Sequence, residues 1–215
     1  MRLAIALAVT FLLTPVLADE LPVLPKGVAA LALLIVGEIL IGSYLGTIAR
    51  VLMGALQTAG TLIAFSSSMA NALINDPISE QQSSTISGFL ATMGMVLIFV
   101  ADFHHLMFRA IIDSYTLFFP GEGFPAGEFA DYLARQVADS FALGLQMASP
   151  FIIVGLTYYV GLGILGRLMP TLQVFFFGLP FQLTAQLWVL TVAVSGIMLA
   201  FMQHFHDVYT SYLTP

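Results

Sequence analysis

Cysteine is missing from all 215 residues, which excludes disulfides, thiolate nucleophiles and cysteine-ligated metal sites. Charge is nearly missing as well: 8% of residues are Asp, Glu, Lys or Arg, against roughly 25% in soluble domains. Six basic residues against twelve acidic ones offer no patch that could neutralise phosphates, so nucleic acid is excluded as a partner. Because those six are scattered along the chain, the distribution of Lys and Arg leaves membrane orientation open. H-E-x-x-H, G-x-S-x-G, phosphate-loop and dinucleotide-binding patterns are all absent. The common intramembrane and nucleotide-dependent enzymes therefore find no supporting motif, and the sequence reads as a non-enzyme without a cofactor.

What remains is apolar. Hydrophobic residues make up 59% of the chain and the mean hydropathy is +0.98, the signature of an integral membrane protein or a buried subunit of one. The predicted class is all-α, built of long kinked helices and helical hairpins in one unit over residues 1–215, with no linker polar enough to divide it. Within that unit, 1–27 reads as a first hydrophobic helix and connector. Residues 28–115 read as long helices with a polar break and a charged end, 116–139 as a loop and amphipathic helix, and 140–215 as a helical hairpin.

The run Leu3 to Leu17 behind Arg2, closed by Val16-Leu-Ala18, has the pattern of a signal peptide and also that of an uncleaved apolar helix; Thr14-Pro15, Pro22 and Pro25 end it either way. From Val28 to Ala64 the chain stays apolar for a length that, as one straight helix, spans about 55 Å, beyond a hydrocarbon core of about 30 Å. Glu38, Gly42, Gly46, Arg50, Gly54 and Thr58 recur every fourth residue along it. Gly42 and Gly46 form a GxxxG pair suited to close helix packing, while Glu38 and Arg50, about 18 Å apart, are expected to meet other groups. A small polar run, Phe65 to Asn71, and a turn signal, Asn75-Asp-Pro77, interrupt the pattern.

Ile86 to Ile112 reads as one helix carrying Asp102, His105, Arg109 and Asp113 along a single side. Lone charges at membrane depth usually face a protein interior or a wet path, although a helix end at the membrane surface would expose the same residues. His104 and His105 point about 100° apart on a helix, and His204 and His206 also diverge, so no metal site is assigned. Proton handling by His105 beside Asp102 is better motivated. Phe118 to Pro125 breaks the chain, Glu128 to Asp139 is amphipathic, and Phe141 to Leu165 and Phe181 to Met202 can each cross a bilayer. Between these two spans, Arg167 to Pro180 reads as a connection too apolar for water, with Phe175, Phe176, Phe177, Gly178 and Pro180 at its tip. Such a tip is expected to be covered by a partner, to fill a constriction or to anchor in lipid.

Four stretches together resemble the FliR/SctT family of type III secretion export-apparatus subunits. They are Glu38-Ile-Leu-Ile-Gly42 with Arg50 and Gln57-Thr-Ala-Gly60; Asn75-Asp-Pro77; Asp102 to Ser114; and Pro170 to Pro180. The sequence departs from the family pattern at Phe103, often glycine, and at Gln173, often asparagine, and Met1 to Ala18 resembles the family's second helix.

The resemblance implies a non-enzymatic, multi-pass subunit of the bacterial inner membrane and flagellar basal body. It would join FliP and FliQ family subunits, with an FlhB family protein associated, in a gate that passes unfolded export substrates; membrane lipid would be a further contact. Residues 99–115 resemble the family's plug segment; because an idle passage needs an apolar constriction that excludes water, Phe103, Leu106 and Met107 are expected to be its seal, Asp102, His105 and Arg109 to hold it, and the tip at Phe175 to Pro180 to line an entrance or touch a neighbour. Two other classes fit the composition: a small secondary transporter or proton channel using Glu38, Asp102 and His105, and an accessory subunit of a respiratory complex.

Overall fold

A computed structural model describes residues 2–18, 26–67, 73–75, 82–118, 126–169 and 174–213. It contains α1 (Arg2–Leu13), α2 (Val28–Ser66), β1 (Leu73–Asn75), β2 (Gln82–Ser84), α3 (Thr85–Val100), α4 (His104–Leu117), α5 (Ala126–Leu168) and α6 (Val174–Leu213). The class is all-α, with one small exception where β1 pairs antiparallel with β2, Leu73 opposite Ser84 and Asn75 opposite Gln82.

Helix α1 ends where Thr14-Pro15 predicts, and its hydroxyls return to the backbone, Thr10 Oγ1 donating to Ala6 O at 2.9 Å and Thr14 Oγ1 to Thr10 O at 2.7 Å. Such back-bonding removes an unpaired polar atom from an apolar helix. Helix α2 holds 39 residues without interruption, about 58 Å by its rise per residue. Its first turns stand clear of the bundle, Leu33 being 63% exposed, whereas from Tyr44 onward one face is buried.

The core lies between the second half of α2, α3, the first half of α5 and the end of α6. Leu52, Leu56, Ile63, Leu90, Phe151, Phe201 and Phe205 are sealed from solvent there. Small residues let these backbones meet. A Cβ on Gly60 would strike the backbone of Ser87, one on Gly94 would strike Leu56, and one on Gly144 would lie 2.9 Å from Thr58 Cβ and 3.0 Å from Ala55 O. The α2–α3 approach is sewn by hydroxyls: Ser84 Oγ accepts from Ser87 N–H at 3.1 Å, capping α3, and donates to Gly60 O at 3.3 Å, while Ser87 Oγ donates to Gln57 O at 3.2 Å.

Among the described residues, α2, α5 and residues 178–211 of α6 are long and apolar enough to cross a membrane. The pair α3 and α4 would be a fourth span, broken by a 74° bend.

Three sequence expectations change. The helix predicted over Ile86 to Ile112 is two helices with the bend between them. The amphipathic segment Glu128 to Asp139 continues without a break into the span after it, because nothing between Asp139 and Phe141 stops a helix. The tip Phe175 to Pro180 belongs to α6, since a proline is tolerated inside an apolar helix whose neighbours supply the missing contacts. The turn at Asp76-Pro77, the polar residues Ser68 to Asn71, the break at 119–125 and Gln173 fall outside the described residues.

Candidate functional site

The bend after α3 is made by hydrogen bonds and one unusual residue. Asp102 has φ +59°, the only positive φ outside glycine among the described residues. Around it, Phe103 N–H donates to Ile98 O at 2.9 Å and Asp102 N–H to Phe99 O at 3.3 Å, the nested pair that closes a helix on a left-handed residue. Its own carbonyl then accepts from His105 N–H at 3.0 Å and opens α4. Asp102 thus finishes one helix with its N–H and begins the next with its C=O. Aspartate tolerates this conformation better than most residues because its short carboxylate bonds locally.

The bend separates what the sequence had aligned. Asp102 lies outside α4, while His105, Arg109 and Asp113 share its solvent side, Arg109 Nε standing 3.7 Å from Asp113 Oδ2. Asp102 and His105 side chains are 77% and 71% exposed, with Oδ1 to Nδ1 at 3.9 Å. Surface pairs of this kind contribute little stability, so they leave the charges available. The opposite side of the bend is anchored. The Phe103 ring stacks on Phe205 with centroids 6.1 Å apart and lies 5.6 Å from the His206 ring, and Leu106 and Met107 pack half-buried against the core. The rings of His104 and His105 lie 4.2 Å apart, and His104 also meets Phe99 at 5.3 Å. Donor atoms of Asp102, His104 and His105 all fall within 4.8 Å of one another. As the first two residues of α4 they still leave the helix about 100° apart, and rotation about their side-chain bonds brings the rings together.

A cleft of about 320 Å³ runs between α2 and α4, lined among others by Glu38, Gly42, Gly46, Met107, Tyr115 and Tyr209. At one end Tyr115 Oη donates to Glu38 Oε2 at 2.9 Å. A Cβ added at Gly42 or Gly46 would meet no atom within 4 Å, so the GxxxG pair faces an open groove and packs on no helix among the described residues. Arg50 is exposed farther along α2. Glu38 therefore meets the end of α4 remote from His105, and the ten residues between His105 and Tyr115 separate the two by roughly 15 Å. A relay of Glu38, Asp102 and His105 has no geometric support.

Helices α5 and α6 form a tight hairpin. Gly178 is buried, and a Cβ there would strike the Tyr158 hydroxyl and Leu162 of α5. Phe175, Phe176 and Phe177 lie in the first turns of α6, but their side chains are outside the described residues, and Pro180 follows in the same helix. Two residues that sequence reasoning passed over hold the hairpin to α2 and to itself: Gln182 Nε2 donates to Ser66 O at 3.0 Å and to Tyr159 Oη at 3.2 Å, and Gln186 Nε2 donates to Phe151 O at 3.2 Å. Their signal was two amides four apart in a span otherwise free of charge, a pattern that glues membrane helices. The stripe Ser140, Gly144, Ala148 on α5 carried a similar signal for the α2 contact.

Comparison with known proteins follows the same length of chain. The family described as Bacterial export proteins, family 1 matches residues 1–208. The flagellar biosynthetic protein FliR of Caulobacter vibrioides is 32% identical over 96% of this chain and 82% of its own. FliR of Escherichia coli is 30% identical over 94% and 77%. The Yop proteins translocation protein T of Yersinia pestis is 26% identical over 85% and 70%. With the match running from the first helix through the bend and cleft into the last turns of α6, this chain belongs to the bacterial export proteins of family 1.

Proposed function

We propose that this chain is a type III export-apparatus subunit of the flagellar kind, a non-enzymatic component that opens and closes a passage for unfolded polypeptide. Support comes from the FliR and Yop translocation relatives and from three to four helices fit to cross a membrane. Its neighbours are FliP and FliQ family subunits and an FlhB family protein, in the inner membrane at the flagellar basal body. The whole chain acts as one gate subunit. Exposed apolar turns on α1, the start of α2 and the end of α5 are surfaces for those neighbours and for lipid, and the cleft at Gly42 and Gly46 is a seat for a neighbouring helix.

The observation that carries the mechanism is the 74° break of an apolar span at a left-handed aspartate. Helix α3 packs on α2 and α6, and the break redirects α4, which meets α6 and lines the cleft beside α2. An idle passage must exclude water, which an apolar constriction achieves. Phe103, Leu106 and Met107 supply the seal, and the Phe103 stack on Phe205 latches it to α6. Asp102, His105 and Arg109 stay on the wet side, where they can hold the plug by pairing with groups of neighbouring subunits. Opening peels α4 from α6 while the hydrogen bonds of the turn persist. Phe175 to Pro180 lies at the far hairpin end and serves subunit contact.

The test is passive ion leak through the assembled complex in proteoliposomes. The combined substitution Phe103→Gly, Leu106→Gly, Met107→Gly should raise the leak; an unchanged leak overturns the seal.

A further inference from the structure

We infer that Asp102, His104 and His105 form a three-donor site for a divalent transition-metal ion of the zinc type, which clamps the bend between α3 and α4. The two imidazoles and the carboxylate each bring a ligand atom into a group no wider than 4.8 Å. Bonds of about 2.0–2.2 Å place two ligands of one ion roughly 3.3 Å apart in a tetrahedral site, so small side-chain rotations close the group. His105 Nδ1 lies 3.9 Å from Asp102 Oδ1 and 3.3 Å from the Asp102 carbonyl oxygen, a contact it would give up to the ion.

A second observation points the same way. His104 Nδ1 is buried and has no hydrogen-bond partner. A buried, uncommitted ring nitrogen is costly, and the contacts of that imidazole with Phe99 and Phe108 satisfy its faces but not its nitrogen. Coordination through this ring would give it one. The donor set also selects the ion. Calcium and magnesium prefer shells of oxygen, whereas two imidazoles and a carboxylate with open positions suit zinc, cobalt or nickel. The first turn of α4 by itself repels a cation through its backbone dipoles, and the Asp102 carboxylate offsets that.

The bend is built to hold these donors without the metal. Asp102 is fixed by the backbone bonds that end α3, and His104 and His105 are the first two residues of α4. An ion bridging them joins the stop of one helix to the start of the next and stiffens the angle between them. Its effect on gating rests on the proposed function; binding itself does not.

The experiment uses the full chain without a polyhistidine tag, extracted in mild detergent, stripped with a chelator and titrated with Co²⁺ followed by Zn²⁺. One Co²⁺ per chain should bind with a ligand-field absorbance that Zn²⁺ abolishes. Asp102→Asn, which keeps a residue tolerant of the left-handed turn, and His105→Gln, at an exposed position, should each weaken binding at least about tenfold. His206→Gln should not. A wild-type chain with no saturable absorbance overturns the site, as does absorbance that survives both substitutions. The ion-leak assay of the glycine variants reports separately on the seal, so failure of one reading is distinguishable from failure of the other.

Discussion

Tyr115 donates its phenolic proton to Oε2 of Glu38 at 2.9 Å, joining the far end of α4 to the exposed half of α2. The bond sits at the edge of an apolar cleft, and an acceptor that is a carboxylate makes it stronger than a neutral pair, worth about 1.5 kcal/mol or more. Tyr115→Phe removes only the hydroxyl and should lower the unfolding temperature in detergent, while Glu38→Gln keeps an acceptor oxygen and should lower it less. Equal stability of Tyr115→Phe and wild type would mean that the contact does not form in solution.

At the bend, the backbone sets the order of tolerance. Asp102→Gly and Asp102→Asn accept φ +59° and should leave thermal stability within a few tenths of a kcal/mol. Asp102→Val places a branched Cβ in the same conformation and should cost roughly 1–2 kcal/mol. A valine variant as stable as the asparagine variant would show that the turn relaxes to another geometry.

Glycines that look alike in the sequence should behave oppositely. Gly60→Ala forces α2 away from the backbone of Ser87, and Gly144→Ala crowds Ala55 O and Thr58, so each should cost about 1–3 kcal/mol of stability. Gly42→Ala and Gly46→Ala meet open space and gain helix propensity, so the isolated chain should be as stable as wild type or better. If the groove seats a neighbouring subunit, the same two alanines should lower the yield of co-purified partners. Destabilisation by Gly42→Ala in the isolated chain would contradict the open groove.

The helices were legible because apolar runs longer than a bilayer's thickness leave few alternatives, and α2 follows its predicted limits to within two residues. The bend was not legible. It uses neither glycine nor proline, and an aspartate inside a helical pattern looks like a surface charge until its backbone is seen. Pro180 misled in the other direction, since a proline beside three phenylalanines suggests a loop and here lies inside α6. The stripe Glu38, Gly42, Gly46 and the segment Met107 to Tyr115 were each visible, but only tertiary structure shows that they face each other across one cleft.

Gln182 gives the sharpest test of how α2 ends inside the bundle. Its side chain is 2% exposed and its amide donates to Ser66 O, one of the last carbonyls of α2, which has no partner within its own helix. Gln182→Leu has a similar volume and keeps the packing but removes the donor to that carbonyl, a loss of about 1–3 kcal/mol. Gln182→Glu replaces the donor by an acceptor facing a carbonyl and should be worse. Hydrogen exchange at residues 63–67 should quicken in both variants, because the last turn of α2 loses an anchor contributed by α6. A leucine variant with unchanged unfolding temperature and unchanged exchange would mean that α2 closes without help from α6.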